Sequence, residues 1–145
     1  MAESLKERLR EDLNAARRER DRGRTILITT TLAEIRNREI EVGHELSDAE
    51  VVEVLAGAIK RRKEAAEQIR AGGRPELAEK EEGEAAMLSA YLPPPLSEEE
   101  VRAMVREAIA GGANTVGAVM GKIMPRLKGR FDGREANRIA REELG

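Results

Sequence analysis

Apolar residues recur at the spacing of an amphipathic helix along most of this chain. In the first stretch Leu5, Leu9, Leu13 and Ala16 fall on one helical face, with polar residues between them. Similar stripes continue to the last residues and are separated by short segments rich in glycine, proline or polar residues. The pattern predicts an all-α protein with helices over 4–21, 25–42, 47–71, 75–90, 98–110, 115–127 and 132–144.

Local signals mark where these helices begin and end. Three serines are each followed three residues later by a glutamate, which predicts capping boxes at Ser4, Ser47 and Ser97. Gly43 is expected to end the second helix, and Gly23 to separate the first from the second. Pro125 should interrupt or end the sixth helix.

The clearest boundary is the segment YLPPPLSEEE, because three consecutive prolines cannot lie inside a helix. We predict an N-terminal helical domain of about four helices over residues 1–92, a proline-rich linker over 93–96, and a three-helix C-terminal domain over 97–145. Residues 97–145 carry 9 basic and 8 acidic residues, a net charge of +1.

Composition narrows the possible chemistry. Aromatic residues make up 1% of the chain, so the core must be aliphatic. Cysteine is absent, which excludes disulfides, thiolate metal ligands and a cysteine nucleophile. The one histidine, His44, has no second histidine or thiolate partner and is expected to be a solvated loop residue. We expect no catalytic residues, no metal and no cofactor, and a cytoplasmic protein without a membrane span or a secretory signal.

Basic residues gather in three places. Lys60 to Lys63 are followed by Glu64 and Glu67, which should offset them on a solvated helix face. Five arginines between positions 17 and 24 are either a solvated helix end or a contact for an anionic ligand. The third group lies in the segment TVGAVMGKIMPRLKGRFDGR, at Lys122, Arg126, Lys128, Arg130 and Arg134.

The GAVMGK part of that segment does not fit a phosphate-binding loop. Only three residues separate its glycines, and Ile123 stands where a serine or threonine would hold magnesium. Gly117 and Gly121 are four residues apart on one helical face. We interpret them as a close-packed part of the unit, where another helix or a ligand backbone can approach.

Several blocks, in order, resemble the GatB/YqeY family, and specifically its stand-alone YqeY-like proteins. The matching blocks are LKERLREDLNAARRERD, KRRKEAAEQIRAGGRPELAEKEEGE, YLPPPLSEEE and GAVMGKIMPRLKGRFDGREANRIAREEL. In this family the second half is similar to the tail domain of the B subunit of the tRNA-dependent amidotransferase, a domain understood to help hold tRNA. The large catalytic portion of that subunit has no counterpart here.

The resemblance implies an accessory tRNA-binding protein, linked to the amidotransferase or to aminoacyl-tRNA metabolism, that acts by binding. Candidate RNA contacts are Lys122, Arg126, Arg130 and Arg134, with Gly117 and Gly121 allowing close approach. Phe131 is either a stacking residue or part of the core. Two alternatives stay open: a helical protein–protein interaction module with no nucleic-acid role, and a component of a glutamine-dependent carbon–nitrogen ligase, as the family label implies.

Overall fold

A computed structural model describes residues 3–145, and these residues form seven α-helices and no strand. The prediction of an all-α fold is confirmed. The helices are α1 (Leu5–Arg18), α2 (Arg22–Val42), α3 (Asp48–Ala71), α4 (Pro75–Ser89), α5 (Glu98–Ala110), α6 (Val116–Leu127) and α7 (Gly133–Leu144). None of the helices within residues 3–145 is long and apolar enough to cross a bilayer.

The chain divides into two compact units, an N-terminal unit of Met1–Tyr91 and a C-terminal unit of Leu92–Gly145. The first contains α1 to α4, and its core is built from aliphatic side chains such as Leu9, Ile28, Leu55 and Leu88. The second contains α5 to α7 around Val101, Val105, Val119, Ile123, Leu127 and Ile139. Both cores are aliphatic, as the near absence of aromatic residues requires.

The predicted capping boxes are all present. At Ser4, Ser47 and Ser97 the hydroxyl accepts a hydrogen bond from the backbone N–H three residues on, and the glutamate at that position accepts from the serine's own N–H. Gly43 ends α2 in the left-handed conformation, with φ of 81°, which an L side chain rarely adopts. These local signals decide helix ends because each one satisfies a backbone group that the helix itself leaves unpaired.

Two predicted breaks are wrong. Gly23 lies inside the first turn of α2, because Asp21 caps that helix by accepting the backbone N–H of Arg24 at 3.1 Å. Pro125 lies inside α6, which continues to Leu127. The cap at Asp21 and the buried apolar side of α6 outweigh the local preferences of glycine and proline in these two places.

The linker predicted at 93–96 ends in a residue that belongs to the C-terminal core. Leu96 is 8% exposed and packs with the buried side chains of that unit. Its backbone N–H donates to the carbonyl of Arg130 at 2.9 Å. The prolines before it stay exposed, so the ordered part of this unit begins before α5.

Ion pairs connect helices of the same unit. The sequence predicts that Glu64 and Glu67 offset the basic run over 60–63. The arginines of that run pair with other acids. Arg61 contacts Glu34 of α2 at 2.8 Å, and Arg62 contacts Glu84 of α4 at 3.1 Å.

In the C-terminal unit, Arg138 of α7 contacts Glu98 of α5 at 2.5 Å, which lowers the pKa of that carboxyl. The lower carboxyl pKa means that this contact is present at neutral pH and is lost on acidification.

The single tyrosine of the chain lies in the N-terminal unit just after α4. Tyr91 is 9% exposed, and its hydroxyl donates to a carboxylate oxygen of Asp12 on α1. The guanidinium of Arg8 lies 5.0 Å from the ring centroid. Burial, together with the hydrogen bond to Asp12, raises the pKa of Tyr91 from 10.0 to about 12.

Tyr91 should therefore ionise near pH 12 in the folded protein, and not near 10.0. Because the folded pKa is raised, this group's contribution to stability is complete below pH 10 and is lost as the pH rises through 12. The chain has one tyrosine and no tryptophan, so the near-ultraviolet absorbance of tyrosinate reports Tyr91 alone.

The matched variant is Asp12→Asn. It removes the negative charge next to Tyr91 and should lower the midpoint pH of the tyrosine titration. Circular dichroism at each pH shows whether the chain is still folded. A midpoint near 10 in the folded wild-type protein would contradict the described environment of Tyr91.

Candidate nucleic-acid interface

Helix α6 presents most of the residues that the sequence proposed as RNA contacts. Its first turn is capped by Thr115, whose hydroxyl accepts the backbone N–H of Ala118 at 3.1 Å. Val119, Ile123 and Leu127 recur every four residues and are buried in the C-terminal core. The opposite side of the helix, at 3.6 residues per turn, is therefore exposed.

The two glycines of α6 lie on this exposed side. A Cβ built at Gly117 or Gly121 would meet no atom within 4 Å beyond the helix's own neighbouring backbone. Neither residue has a positive φ, so the backbone does not require glycine there. The interpretation of these residues as close packing within the chain is wrong, since no other part of residues 3–145 approaches them. The other option, approach by an outside molecule, stays a prediction.

Pro125 extends the same exposed row, because it follows Gly121 by four residues. We call Gly117, Gly121 and Pro125 the glycine–proline stripe. Pro125 has no N–H, so the carbonyl of Gly121 lacks its usual helical donor. Pro125 is not among the residues that the charge pattern and the family resemblance suggest, although its spacing from the glycines is a signal that could have found it.

Lys122 and Arg126 lie beside this stripe, one turn of α6 apart. The Nζ of Lys122 donates to the carbonyl of Gly111 at 3.5 Å, and Arg126 lies 3.9 Å from Glu107. Both side chains line an open concavity of about 210 Å³ with Met104, Ala108 and Ile123. These distances are long for hydrogen bonds and ion pairs, and both residues are exposed. Both cations are therefore held loosely and can reach an outside anion.

Arg130 has a structural contact that the sequence did not suggest. Its Nε donates to the carbonyl of Pro94 at 3.0 Å, and its own carbonyl accepts the N–H of Leu96 at 2.9 Å. Arg130 thus fastens the segment after the prolines to the turn between α6 and α7. Any contact with an outside anion would use the remaining nitrogens of the guanidinium.

Arg134 is the most open of the four candidate cations. It is exposed in the first turn of α7, and its side chain has no ion pair or hydrogen bond with another residue of the range 3–145. The backbone N–H of Arg134 donates to Asp132, which caps the helix, at 2.8 Å. A cation at a helix N-terminus is electrostatically unfavourable, so the fold gives no local reason for an arginine at this position.

Phe131 does not form an exposed stacking platform. It is half-buried and packs against the core of the C-terminal unit, as expected for an aromatic residue in a small aliphatic core. Recognition at this surface would therefore rely on shape and on the phosphate backbone, without base stacking on Phe131.

The serines and the histidine make local structural contacts. Three of the four serine hydroxyls cap helices, and the fourth, that of Ser89, donates to the carbonyl of Ala85 at 2.9 Å. His44 lies in the exposed link between α2 and α3, where its Nδ1 is 2.8 Å from the carbonyl oxygen of Glu45. The geometry of these residues is that of helix capping and loop formation.

Comparison with known proteins identifies one family and one fungal relative of this chain. The chain matches the family described as "Yqey-like protein" over residues 6–144. It is 30% identical over 128 residues to "Altered inheritance of mitochondria protein 41, mitochondrial" of Pyrenophora tritici-repentis (strain Pt-1C-BFP). That alignment covers 85% of this chain and 71% of the fungal protein. The match extends through both units, and the chain therefore belongs to the YqeY-like family.

Proposed function

We propose that this protein binds the backbone of folded RNA, and of tRNA in particular, through the exposed side of α6 and the start of α7. It would act as an accessory to aminoacyl-tRNA metabolism or to the tRNA-dependent amidotransferase, by binding and not by catalysis. The choice of tRNA rests on the similarity of the C-terminal unit to the amidotransferase tail domain. The cytoplasmic location stays a prediction; the name of the fungal relative places that protein in mitochondria.

The observation that carries this proposal is the glycine–proline stripe. Glycine in a helix costs about 0.5–1 kcal/mol relative to alanine, and proline costs more, yet no packing contact among residues 3–145 requires glycine at 117 or 121. Without side chains at these two positions, an outside molecule can approach the backbone of α6. The glycines make the helix less stable and leave part of its surface without side chains. This surface supports contact with a partner outside the chain.

Cations beside this bare surface make a polyanion the best-fitting partner. Lys122, Arg126 and Arg134 are exposed and would contact phosphates, with Arg130 as a further contact. The bare helix lets the ribose–phosphate backbone come close, and the carbonyl of Gly121 is a suitable acceptor for a 2′-hydroxyl. Such contacts read the shape of an RNA helix and its sugar edge without reading base sequence.

Replacing Lys122 and Arg134 with glutamate should weaken the binding of tRNA in an electrophoretic retardation assay. Two lost phosphate contacts should reduce the slope of log affinity against log salt by about 1.4–1.8. Arg134→Glu places an acid in the first turn of α7, which favours the helix, so this substitution should not unfold the C-terminal unit.

The matched control is Lys80→Glu with Arg141→Glu. This variant makes the same change of charge at two exposed residues that have no ion pair with another residue of the described range. The control should retain most of the wild-type salt slope. Equal weakening by both double variants would mean general charge attraction, and no retardation of tRNA at low salt would refute the proposal.

The bare stripe also gives some support to the protein-interaction alternative. Two glycines one turn apart allow the backbone of a partner helix to approach as closely as an RNA backbone. Affinity purification from cell extract, with and without ribonuclease, separates the two functions. Recovery of a specific protein that resists ribonuclease, and that is lost on Gly121→Leu, would favour the interaction module.

A further inference from the structure

The turn between α1 and α2 carries a second cationic surface, in the N-terminal unit. Arg17 and Arg18 end α1, Arg20 lies in the turn, and Arg22 begins α2. All four side chains are exposed. We call this group the arginine corner.

Acidic residues close to the arginine corner are engaged elsewhere. Arg24, which follows it, lies 3.5 Å from Glu19 and 3.9 Å from Asp12. Asp21 caps α2 by accepting the backbone N–H of Arg24 at 3.1 Å. Within residues 3–145, no side chain of the arginine corner forms an ion pair or a hydrogen bond. None of its four charges therefore forms an ion pair within the described residues, although Glu19 and Asp21 lie between them in the sequence.

A solvated helix end explains only half of the corner. The C-terminus of α1 is the negative end of its dipole, which favours Arg17 and Arg18. Arg22 is the first residue of α2, at the positive end of that helix, where a cation is disfavoured. The helix dipoles thus give no account of Arg22, and they say nothing of Arg20.

Arg20 also has an unfavourable backbone conformation. Its φ of 57° makes it the one non-glycine residue with positive φ among those described. Glycine adopts this conformation without the steric cost that an arginine Cβ imposes. The turn would form more easily with glycine at position 20, so the arginine is retained at a cost to the fold.

Three residues of the corner surround a concave surface. Arg17, Arg20 and Arg22 line an open concavity of about 360 Å³, together with Thr25 and Ile26. Ile26 is its one large apolar side chain. Arginine also occurs at protein interfaces, but their centres are usually apolar, and this surface offers little apolar area. The arginine fork instead matches the paired oxygens of a phosphate group.

We propose that the arginine corner is a separate contact surface for the phosphate backbone of structured RNA. The choice of RNA over other polyanions rests on the proposed function, whereas the surface itself is defined by Arg17, Arg18, Arg20 and Arg22 alone. The N-terminal unit would then contribute directly to RNA affinity, in addition to the contacts of α6 and α7.

The test is retardation of tRNA by the full chain over a range of salt concentrations. Arg17→Glu with Arg20→Glu should lower the affinity about tenfold or more near physiological salt, and reduce the log–log salt slope by about 1.4–1.8. The control Lys60→Glu with Lys63→Glu makes the same charge change at exposed lysines of the same unit and should leave the slope close to wild type.

A second variant tests the same surface without the risk that the substitution unfolds the protein. Arg20→Gly removes one cation and relieves the strained backbone, so its Tm should not fall below that of the wild type. Its salt slope should still decrease, by about 0.7–0.9. An unchanged slope in both corner variants would overturn the inference, as would an equal decrease in the lysine control.

The proposal for the surface on α6 and α7 and the proposal for the arginine corner can be refuted separately. If Lys122→Glu with Arg134→Glu weakens binding and the corner variants do not, the proposed function stands and the corner is not a contact. If only the corner variants weaken binding, the corner is a contact and the proposed surface on α6 and α7 is wrong. Absence of tRNA binding by the wild type refutes both. Displacement of tRNA from the corner by poly-glutamate at equal charge concentration would identify an acidic protein surface as the partner and overturn the RNA assignment.

Discussion

Ile139→Ala should unfold the C-terminal unit under conditions in which the N-terminal unit of the wild type and of the variant stays folded. Ile139 is fully buried and belongs to the cluster that joins α5, α6 and α7. Truncating a buried isoleucine to alanine costs about 2–5 kcal/mol, because apolar contacts are lost and a cavity remains. A single core of this size rarely supplies more than about 3–5 kcal/mol, so the change removes most of its stability.

Hydrogen exchange measured by mass spectrometry tests this expectation, because it reports each helix separately. Peptides from α5 to α7 should lose protection, while those from α1 to α4 should keep it. The matched control is Ile40→Ala, the same substitution at a side chain that is 70% exposed, for which the change in unfolding free energy should stay within about 0.5 kcal/mol. Uniform loss of protection along the whole chain would show that the two units do not unfold separately.

Pro125→Ala should stabilise the protein by about 1–3 kcal/mol. Pro125 lies inside α6 on its exposed side, where it removes the hydrogen bond to the carbonyl of Gly121. Alanine restores that hydrogen bond and has the highest helix propensity, and the position is open to solvent. The gain should appear as a higher denaturant midpoint with an unchanged m-value.

The matched control is Pro75→Ala, which should not stabilise the protein. Pro75 is the first residue of α4, where its missing N–H costs nothing and its fixed φ suits the helix. Alanine there should leave stability unchanged or lower it by up to about 1 kcal/mol, through greater freedom of the unfolded chain. A decrease in stability on Pro125→Ala would show that the proline makes a favourable contact that the described structure lacks.

A stabilising result at Pro125 would also bear on the proposed function. Residues that cost stability are common in natural proteins, and replacing them lowers function where they serve binding or activity. Gly117, Gly121 and Pro125 all disfavour helix, and all three lie on one side of α6. The grouping of these three residues on one exposed side supports the proposal that this side is a contact surface.

Much of the fold follows from local signals in the sequence. The capping boxes at Ser4, Ser47 and Ser97 and the glycine at 43 act on the nearest backbone groups, so they can be recognised without knowledge of the tertiary structure. The aliphatic stripes similarly predict which side of each helix is buried. Gly23 and Pro125 were misjudged because a cap at Asp21 and burial of the opposite side of α6 outweigh a single residue's propensity.

The candidate site could be predicted only in part. Charge clustering and resemblance placed Lys122, Arg126, Arg130 and Arg134 in one segment, but neither could tell which side chains are engaged by the fold. The side chain of Arg130 donates to Pro94, whereas that of Arg134 has no partner among the described residues, although the two look equivalent in sequence. The contact of Arg130 joins residues 36 positions apart, and such distant contacts leave no local pattern in the sequence.

The sequence by itself determined that this is an all-α member of the YqeY-like family with an aliphatic core, because helix periodicity, caps and family motifs are all encoded locally. The tertiary structure decided which polar and small residues are left without a partner. It left Gly117 and Gly121 uncovered, gave Arg130 a structural hydrogen bond, and left the arginines at 17, 18, 20 and 22 without an ion pair among residues 3–145. Pairing and exposure depend on neighbours that are distant in sequence, so they are settled only when the helices pack.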